Sequence, residues 1–188
     1  MPVIPLRRTD LRVEGQPALR PSASVSAHAL CQRMAALQAM AVLGTPQEEG
    51  FDAIARLAAC VFDTPIALVS FIDGDRLWFK AALGLDVRSA DSLHSFCLEA
   101  ANTRQVLEVR SARLDPRFAH NGFVTGPQAV QYYAGAPIMV RNVAIGAVCV
   151  IDYVPRAAAA VALAALEEMA GVAAAMLTAR AAAFTGVR

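Results

Sequence analysis

Residues 64–85, TPIALVSFIDGDRLWFKAALGL, carry the pattern that decides the fold. Apolar side chains occupy both faces of residues 66–72: Ile66, Leu68 and Ile72 on one, and Ala67, Val69 and Phe71 on the other. This is typical of a strand that is covered on both sides. Gly74 can take the positive φ of a tight turn. Residues 76–84 then alternate, with Arg76, Trp78 and Lys80 on one face, which predicts a half-exposed edge strand.

The flanking sequence adds helices and a second hairpin. Residues 45–48, TPQE, have the pattern of a capping box before a helix. Strands are predicted at 106–110, 130–140 and 143–151, and the last is apolar on both faces, whereas 86–90 is predicted to be a loop. A helix of about 30 residues, roughly 45 Å long, is predicted from Pro155 to Phe184. The predicted class is α+β, with strands 66–72 and 143–151 at the centre of the sheet.

Five motifs follow one another along the chain. They are VLGTPQEEGFDAIARLAACVFDTPIALVSFIDGDRLWFK, HSFC, DPRFAHNGFV, YYAGAPI and IGAVCVID. This series, between Leu37 and Asp152, closely resembles the GAF domain family, in the branch found in bacterial signalling proteins. The resemblance implies a PAS-like central antiparallel sheet of five or six strands in the order 2-1-5-4-3, flanked by helices, with long terminal helices. It implies a sensory or regulatory role but specifies no ligand.

Composition narrows the class of protein. The net charge of +1 is too small to create a positive electrostatic field that would attract nucleic acid. Glu167 and Glu168 interrupt the most apolar region, so no membrane span is predicted, and residues 1–10 do not have the pattern of a signal peptide. None of the four cysteines forms a C-x-x-C pair, and Cys60 and Cys149 are predicted to lie in the core. Free buried cysteines are typical of a reducing cytoplasm, so a cytoplasmic location is predicted.

Domain organisation is predicted to be simple. Residues 1–25, rich in proline without a helical or strand period, are expected to form a flexible arm, and residues 26–188 a single GAF domain with its terminal helices. The last helix has two apolar stripes, one of which is expected to cover the sheet. The other, which includes Met176, is expected to meet a second copy, so a homodimer through terminal helices is predicted. A single helix lying on its own domain is the alternative.

The segment from Asp86 to Gln131 is predicted to hold the ligand site, because it contains a long irregular loop and because the GAF resemblance places the cavity there. Aromatic walls with a few polar tips suit a small-molecule pocket. The candidate ligand-binding residues are Phe96, Cys97, Asp115, Phe118, Phe123, Tyr132 and Tyr133. Two alternatives remain: the aromatic rings fill a core without a cavity, and Asp115 caps a helical turn before Pro116.

The predicted function is a small-molecule-responsive sensory or regulatory domain in bacterial signal transduction, which binds an unidentified ligand and passes its signal to a separate effector protein. No catalytic residue, cofactor or metal is predicted, and the chain is not expected to be an enzyme. Glu99 stands where a histidine often follows the SFC motif, and no second cysteine is expected near Cys97. The alternatives are a thiol enzyme that resembles free methionine sulfoxide reductases and a structural dimerisation module.

Overall fold

The computed structural model describes residues 27–91 and 95–185. The helices are α1 (Ala27–Met40), α2 (Glu49–Phe62), α3 (Phe96–Thr103), α4 (Gly122–Thr125) and α5 (Ala160–Thr185). The strands are β1 (Ile66–Asp73), β2 (Arg76–Leu83), β3 (Ser89–Asp91), β4 (Leu107–Val109), β5 (Tyr132–Val140) and β6 (Val143–Asp152). The predicted arm, residues 1–25, lies outside the described residues.

The described strands form one antiparallel sheet in the order β3-β2-β1-β6-β5-β4. Strands β1 and β6 pair at its centre, from Ile66 opposite Ile151 to Phe71 opposite Gly146. The central position predicted from their two apolar faces is confirmed, and so is the α+β class. The five predicted strands occupy the order that the GAF resemblance implies.

The prediction that strand 76–84 forms the edge of the sheet is wrong in detail. Strand β3 pairs with β2 from Arg76 opposite Asp91 to Trp78 opposite Ser89, in a region that was predicted to be a loop. A strand of three residues is too short to show an alternating pattern, so the sequence gives no signal for it. The edge of the sheet therefore lies one strand further out.

Two separate layers cover the sheet. Helices α1, α2 and α5 pack against the face that carries Ala67, Val69 and Phe71, which we call the α5 side. Helix α3 and the segment 107–130 pack against the face that carries Leu68 and Ile72, which we call the α3 side. The alternation of side chains along β1 thus divides the interior into two cores.

Lys80 corrects the prediction of a half-exposed second strand. Its side chain is 0% exposed, on the α5 side. Its ammonium donates hydrogen bonds to Thr45 Oγ1 at 2.7 Å, to the carbonyl of Pro46 at 2.6 Å and to Glu48 Oε1 at 2.6 Å. Because residues 45–48 bind Lys80, they do not form the predicted capping box, and α2 begins at Glu49 without a side-chain cap.

Helix α5 begins at Ala160, five residues after the predicted start. One of its two apolar stripes covers the sheet, as expected, since Leu166, Ala170, Ala173 and Leu177 are buried against it. Met176, predicted to face a partner, instead packs on α2, where a Cβ at Gly50 would lie 2.3 Å from the Met176 methyl group. The helix over residues 160–183 is long and apolar enough to cross a membrane. This is weak evidence for a membrane span, because core helices of soluble proteins share the same length and composition.

Candidate functional site

A cavity of about 60 Å³ lies on the α3 side, between the sheet and α3. Apolar side chains from β1, β2, α3 and the neighbouring strands and loops form most of its wall, together with the polar residues Ser95, Cys97, Gln128, Tyr133 and Tyr153. One water needs at least about 10–15 Å³ of such volume. The cavity therefore has room for roughly four waters, or for a small ligand of similar bulk.

Local capping and ring stacking fix the position of α3. The Ser95 hydroxyl accepts a hydrogen bond from the backbone N–H of Leu98 at 3.1 Å, which caps the helix. The Phe96 ring stacks between Phe118, at 4.3 Å between centroids, and Tyr133, at 5.0 Å. Cys97 follows directly in the first turn of α3 and is 4% exposed. The SFC motif therefore fixes the helix start, an aromatic wall and a thiol at one end of the cavity.

Two buried polar side chains in this wall lack protein partners. Neither the amide oxygen nor the amide nitrogen of Gln128 has a hydrogen bond among the described residues, and the Tyr133 hydroxyl has no nitrogen or oxygen partner there, its polar neighbours being the weakly bonding thiols of Cys97 and Cys149. A buried polar group without a partner costs about 1–3 kcal/mol, and such groups in native proteins call for an explanation such as a bound molecule. These three atoms belong to residues that line the cavity, but the surface that the wall exposes is apolar, so the cavity suits a mainly apolar ligand.

Gly135 makes room for the Tyr133 side chain. The two residues lie on the same face of β5, and a Cβ at position 135 would stand 2.1 Å from the Tyr133 hydroxyl. Glycine therefore lets the tyrosine lie along the strand. Burial, more than the neighbouring thiols, raises the pKa of Tyr133 well above its usual value, so its hydroxyl stays protonated and can donate a hydrogen bond.

Two thiols meet beneath the cavity. Cys97 Sγ lies 3.6 Å from Cys149 Sγ, across the contact between α3 and β6. The hydrogen bond with Cys149 is the main cause that lowers the pKa of Cys97 to about 7. The same hydrogen bond, followed by burial, raises the pKa of Cys149 well above its usual value. Cys60 was predicted to lie in the core, but it is exposed, because it is not on the buried face of α2.

The structure brings together four of the seven predicted site residues. Phe96, Cys97, Phe123 and Tyr133 line the cavity. Phe118 lies behind Phe96 and is not part of the wall.

The other two predicted residues lie elsewhere. Asp115 pairs with Arg117 at 2.7 Å and accepts its backbone N–H at 3.0 Å, so it stabilises a turn, as its alternative interpretation held. The Arg117 side chain, by hydrogen bonding, is the main cause that lowers the pKa of Asp115. Tyr132 is buried on the α5 side, where its hydroxyl lies 3.4 Å from Glu108 Oε1. Adjacent residues of a strand point to opposite faces, so Tyr132 and Tyr133 cannot share one cavity.

Sequence reasoning missed two residues of this region. Gln128 lies in an irregular loop where no periodicity predicts the direction of a side chain. Cys149 was assigned to the core, which is correct, but its contact with Cys97 joins residues 52 positions apart. The pairing register of β5 and β6 could have predicted this contact. Cys149 is paired with Gly135, and Gly135 lies on the same face of β5 as Tyr133.

The sequence of this chain is similar to part of a curated bacterial protein. A cyclic di-GMP phosphodiesterase of Pseudomonas aeruginosa is 41% identical over 125 residues, which are 66% of this chain and 21% of that protein. The chain thus spans about a fifth of the length of the curated relative it matches.

Two solved structures share the fold at low identity. The GAF domain of an Acinetobacter phosphoenolpyruvate-protein phosphotransferase has a TM-score of 0.59 at 18% identity, covering 87% of this chain and 98% of that one. Free methionine-R-sulfoxide reductase from Neisseria meningitidis, in complex with its substrate, has a TM-score of 0.60 at 17% identity, covering 88% and 98%.

These relatives correct the expectation that the chain is not an enzyme. The Pseudomonas relative is named as a phosphodiesterase, and a reductase has the same fold. One argument behind that expectation also fails, since Cys149 lies beside Cys97.

The family itself is established by a match to the GAF domain over residues 20–177, most of the chain. Together with the sheet order and the cavity beside α3, this match leads to one conclusion: the chain belongs to the GAF domain family.

Proposed function

We propose that this GAF domain is the sensory part of a bacterial signalling protein and that it binds a small molecule in the cavity beside α3. The ligand is mainly apolar and carries one or two polar atoms that complement Gln128 and Tyr133. Its binding changes the position of α5, which passes the signal to an effector. The domain acts in the cytoplasm.

The observation that carries this proposal is the set of three buried polar atoms without partners in an apolar wall. A packed structural core satisfies its buried polar groups, whereas a binding site keeps donors and acceptors for its ligand. Gln128 offers a donor and an acceptor, and protonated Tyr133 offers a donor. A ligand with a carbonyl or hydroxyl group beside a short apolar part would fit these groups.

A short covalent route supports transmission from the cavity to α5. Ile151 and Tyr153 line the cavity, and residues 153–159 connect β6 to α5. Asp152 holds this connection by accepting the Tyr153 N–H at 2.6 Å and the Arg156 guanidinium at 2.5 Å. A ligand that displaces Tyr153 therefore acts on a residue that lies between the two members of the Asp152–Arg156 ion pair, in the segment that leads into α5.

The output of the domain is proposed from its relative. The sequence similarity to a cyclic di-GMP phosphodiesterase supports control of cyclic di-nucleotide turnover, in the same polypeptide or in a partner. A homodimer through terminal helices is the proposed route, since Val161 and Val172 on α5 are 77% and 53% exposed. Apolar side chains on one face of a helix suit contact with a second helix.

The test is the identity and occupancy of the bound molecule. Protein purified without a ligand-stripping step is denatured, and the released small molecules are measured by mass spectrometry. The wild type is expected to release one compound at a stoichiometric amount. Gln128→Leu, which removes the donor and acceptor but keeps the volume, is expected to weaken the affinity about tenfold and so to retain less of the compound through purification, because a lost pair of hydrogen bonds is worth roughly 1–2 kcal/mol.

Gln131→Leu is the matched control. Gln131 is also buried and lies three residues away, but it donates to the carbonyl of Val130 at 3.1 Å and does not line the cavity. This variant is expected to lose stability without losing the compound. Equal occupancy in wild type and Gln128→Leu, or no compound in either with no binding in a ligand screen, contradicts the proposal.

A further inference from the structure

The two buried thiols of Cys97 and Cys149 are unequal in their access to the cavity. Cys97 is part of the cavity wall, whereas Cys149 lies behind it on the central strand β6 and is 0% exposed. A small reagent that enters the cavity therefore meets Cys97 first. Cys149 stands 3.6 Å away on the side of Cys97 Sγ that faces the sheet.

We propose that Cys97 and Cys149 form a reactive dithiol that a small hydroperoxide oxidises to an intramolecular disulfide, with Cys97 as the attacking thiol and Cys149 as the resolving thiol. This inference goes beyond the proposed function and does not depend on it, because the chemistry requires entry of the oxidant only and not the binding of a regulatory ligand.

The reaction balances in two steps. The Cys97 thiolate attacks the terminal oxygen of the hydroperoxide ROOH, an S–O bond forms, the O–O bond breaks, and the alcohol ROH leaves with one proton taken from solvent. Cys149 sulfur then attacks the sulfenic acid of Cys97, the S–S bond forms, the S–O bond breaks, and hydroxide leaves as water with the proton of the Cys149 thiol. The two thiols together lose two electrons and the hydroperoxide gains two.

The electrostatics of the pair support these roles. The hydrogen bond between the two thiols lowers the pKa of Cys97, which favours its thiolate form. The pKa of Cys149 is raised, which keeps it protonated until Cys97 has reacted. Thiolate is the nucleophile in thiol oxidation, and low-pKa cysteines beside a resolving cysteine are the typical sites of reversible oxidation.

The disulfide would also change the cavity. The two sulfurs must approach from 3.6 Å to the S–S bond length of about 2.05 Å. Cys97 belongs to the short outer helix α3, whereas Cys149 lies on β6 at the centre of the sheet. Oxidation therefore draws the first turn of α3 and the cavity wall toward β6.

The test uses the full chain with the two exposed cysteines replaced, Cys31→Ser and Cys60→Ser, so that only the buried pair can react. The reduced protein is treated with hydrogen peroxide and digested without reduction. A mass lower by two hydrogens and a peptide linking Cys97 to Cys149 are expected. The rate of oxidation is expected to rise with pH and to reach half its maximum at a lower pH than the value of about 8.5 that an ordinary thiol shows, because the pKa of Cys97 is lowered.

Single variants in the same background assign the roles. Cys149→Ser is expected to stop at a sulfenic acid on Cys97, which a sulfenic-acid-specific reagent traps, and Cys97→Ser is expected to lose rapid oxidation. If either variant does not fold, the proposal is judged on the protein that keeps both buried cysteines, from its Cys97–Cys149 peptide and the pH dependence of its oxidation rate. Free glutathione at the same pH serves as the control for the peroxide treatment. If both protein thiols remain reduced when the glutathione is fully oxidised, the proposal is overturned. A sulfenic acid that forms only on Cys149 would also overturn it.

Discussion

The two sides of the sheet treat their buried polar groups in opposite ways. On the α5 side, Lys80 is fully buried, and its ammonium has three oxygen partners within 2.7 Å. On the α3 side, Gln128 and Tyr133 are also buried, yet their polar atoms have no partner among the described residues. A buried charge is tolerated only when it is fully paired, so the α5 side is built for stability. In the proposed function, the α3 side keeps its polar groups for a ligand that enters the cavity.

The comparison extends to the packing of the two sides. The α5 side has three helices, and its buried ion pair ties three parts of the chain together, since Glu48 also accepts from Arg180 Nη1 on α5 at 2.6 Å. The α3 side has the eight-residue helix α3, the four-residue helix α4 and loops around a cavity. Sites that bind and move are drawn from the less stable parts of a structure. In the proposed function, the difference therefore assigns stability to one side and ligand response to the other.

The largest expected effect comes from breaking the ion pair on the α5 side. Glu48→Ala leaves the buried Lys80 ammonium without its carboxylate, and the free energy of unfolding is expected to fall by about 3 kcal/mol. The neighbouring Glu49→Ala is the matched control. Glu49 is 81% exposed and pairs with Arg56 at the surface, so its removal is expected to cost less than about 0.5 kcal/mol. Urea unfolding measures the free energy of unfolding of both variants. An equal loss of stability in the two would contradict the claim that Glu48, unlike Glu49, stabilises the fold by pairing with a buried charge.

A smaller effect separates the inner and outer faces of α5. Met176 packs on α2, so Met176→Glu is expected to destabilise the monomer by about 2 kcal/mol, as judged by thermal unfolding. Val172, one turn earlier and 53% exposed, is expected to accept glutamate without loss of stability. In the proposed homodimer Val172→Glu also lowers the molecular mass in solution. A wild type that is monomeric at high concentration, or a Val172→Glu variant that unfolds, would contradict this assignment.

Much of the fold could be predicted because it depends on local patterns. The two apolar faces of residues 66–72 and 143–151 identify the central strands, and the Asp73-Gly74-Asp75 turn and the Arg141-Asn142 turn fix both hairpins. Gly74 has a φ of +62°, and Arg141 and Asn142 have φ values of +45° and +67°, as tight hairpin turns require. Each of these features involves residues that are close in sequence.

The rest of the site depends on contacts that periodicity does not encode. The burial of Lys80 follows from the position of residues 45–48, and the Cys97–Cys149 contact joins α3 to a strand 52 residues later. Gln128 lies in a loop without a period. One error was avoidable, since strand alternation alone requires that Tyr132 and Tyr133 point to opposite sides.

The same two tyrosines provide the smallest and most direct test of the central claim. Each variant, Tyr133→Phe on the α3 side and Tyr132→Phe on the α5 side, removes one hydroxyl and keeps the ring. The measurement is the free energy of unfolding of protein freed of any bound small molecule. Tyr133→Phe is expected to leave it unchanged or raise it by about 1 kcal/mol, because the hydroxyl has no protein partner. Tyr132→Phe is expected to lower it by about 1 kcal/mol, because Glu108 loses a donor. A loss of 1 kcal/mol or more in Tyr133→Phe would show that its hydroxyl is a structural group, and the account of a ligand side and a stability side would be contradicted.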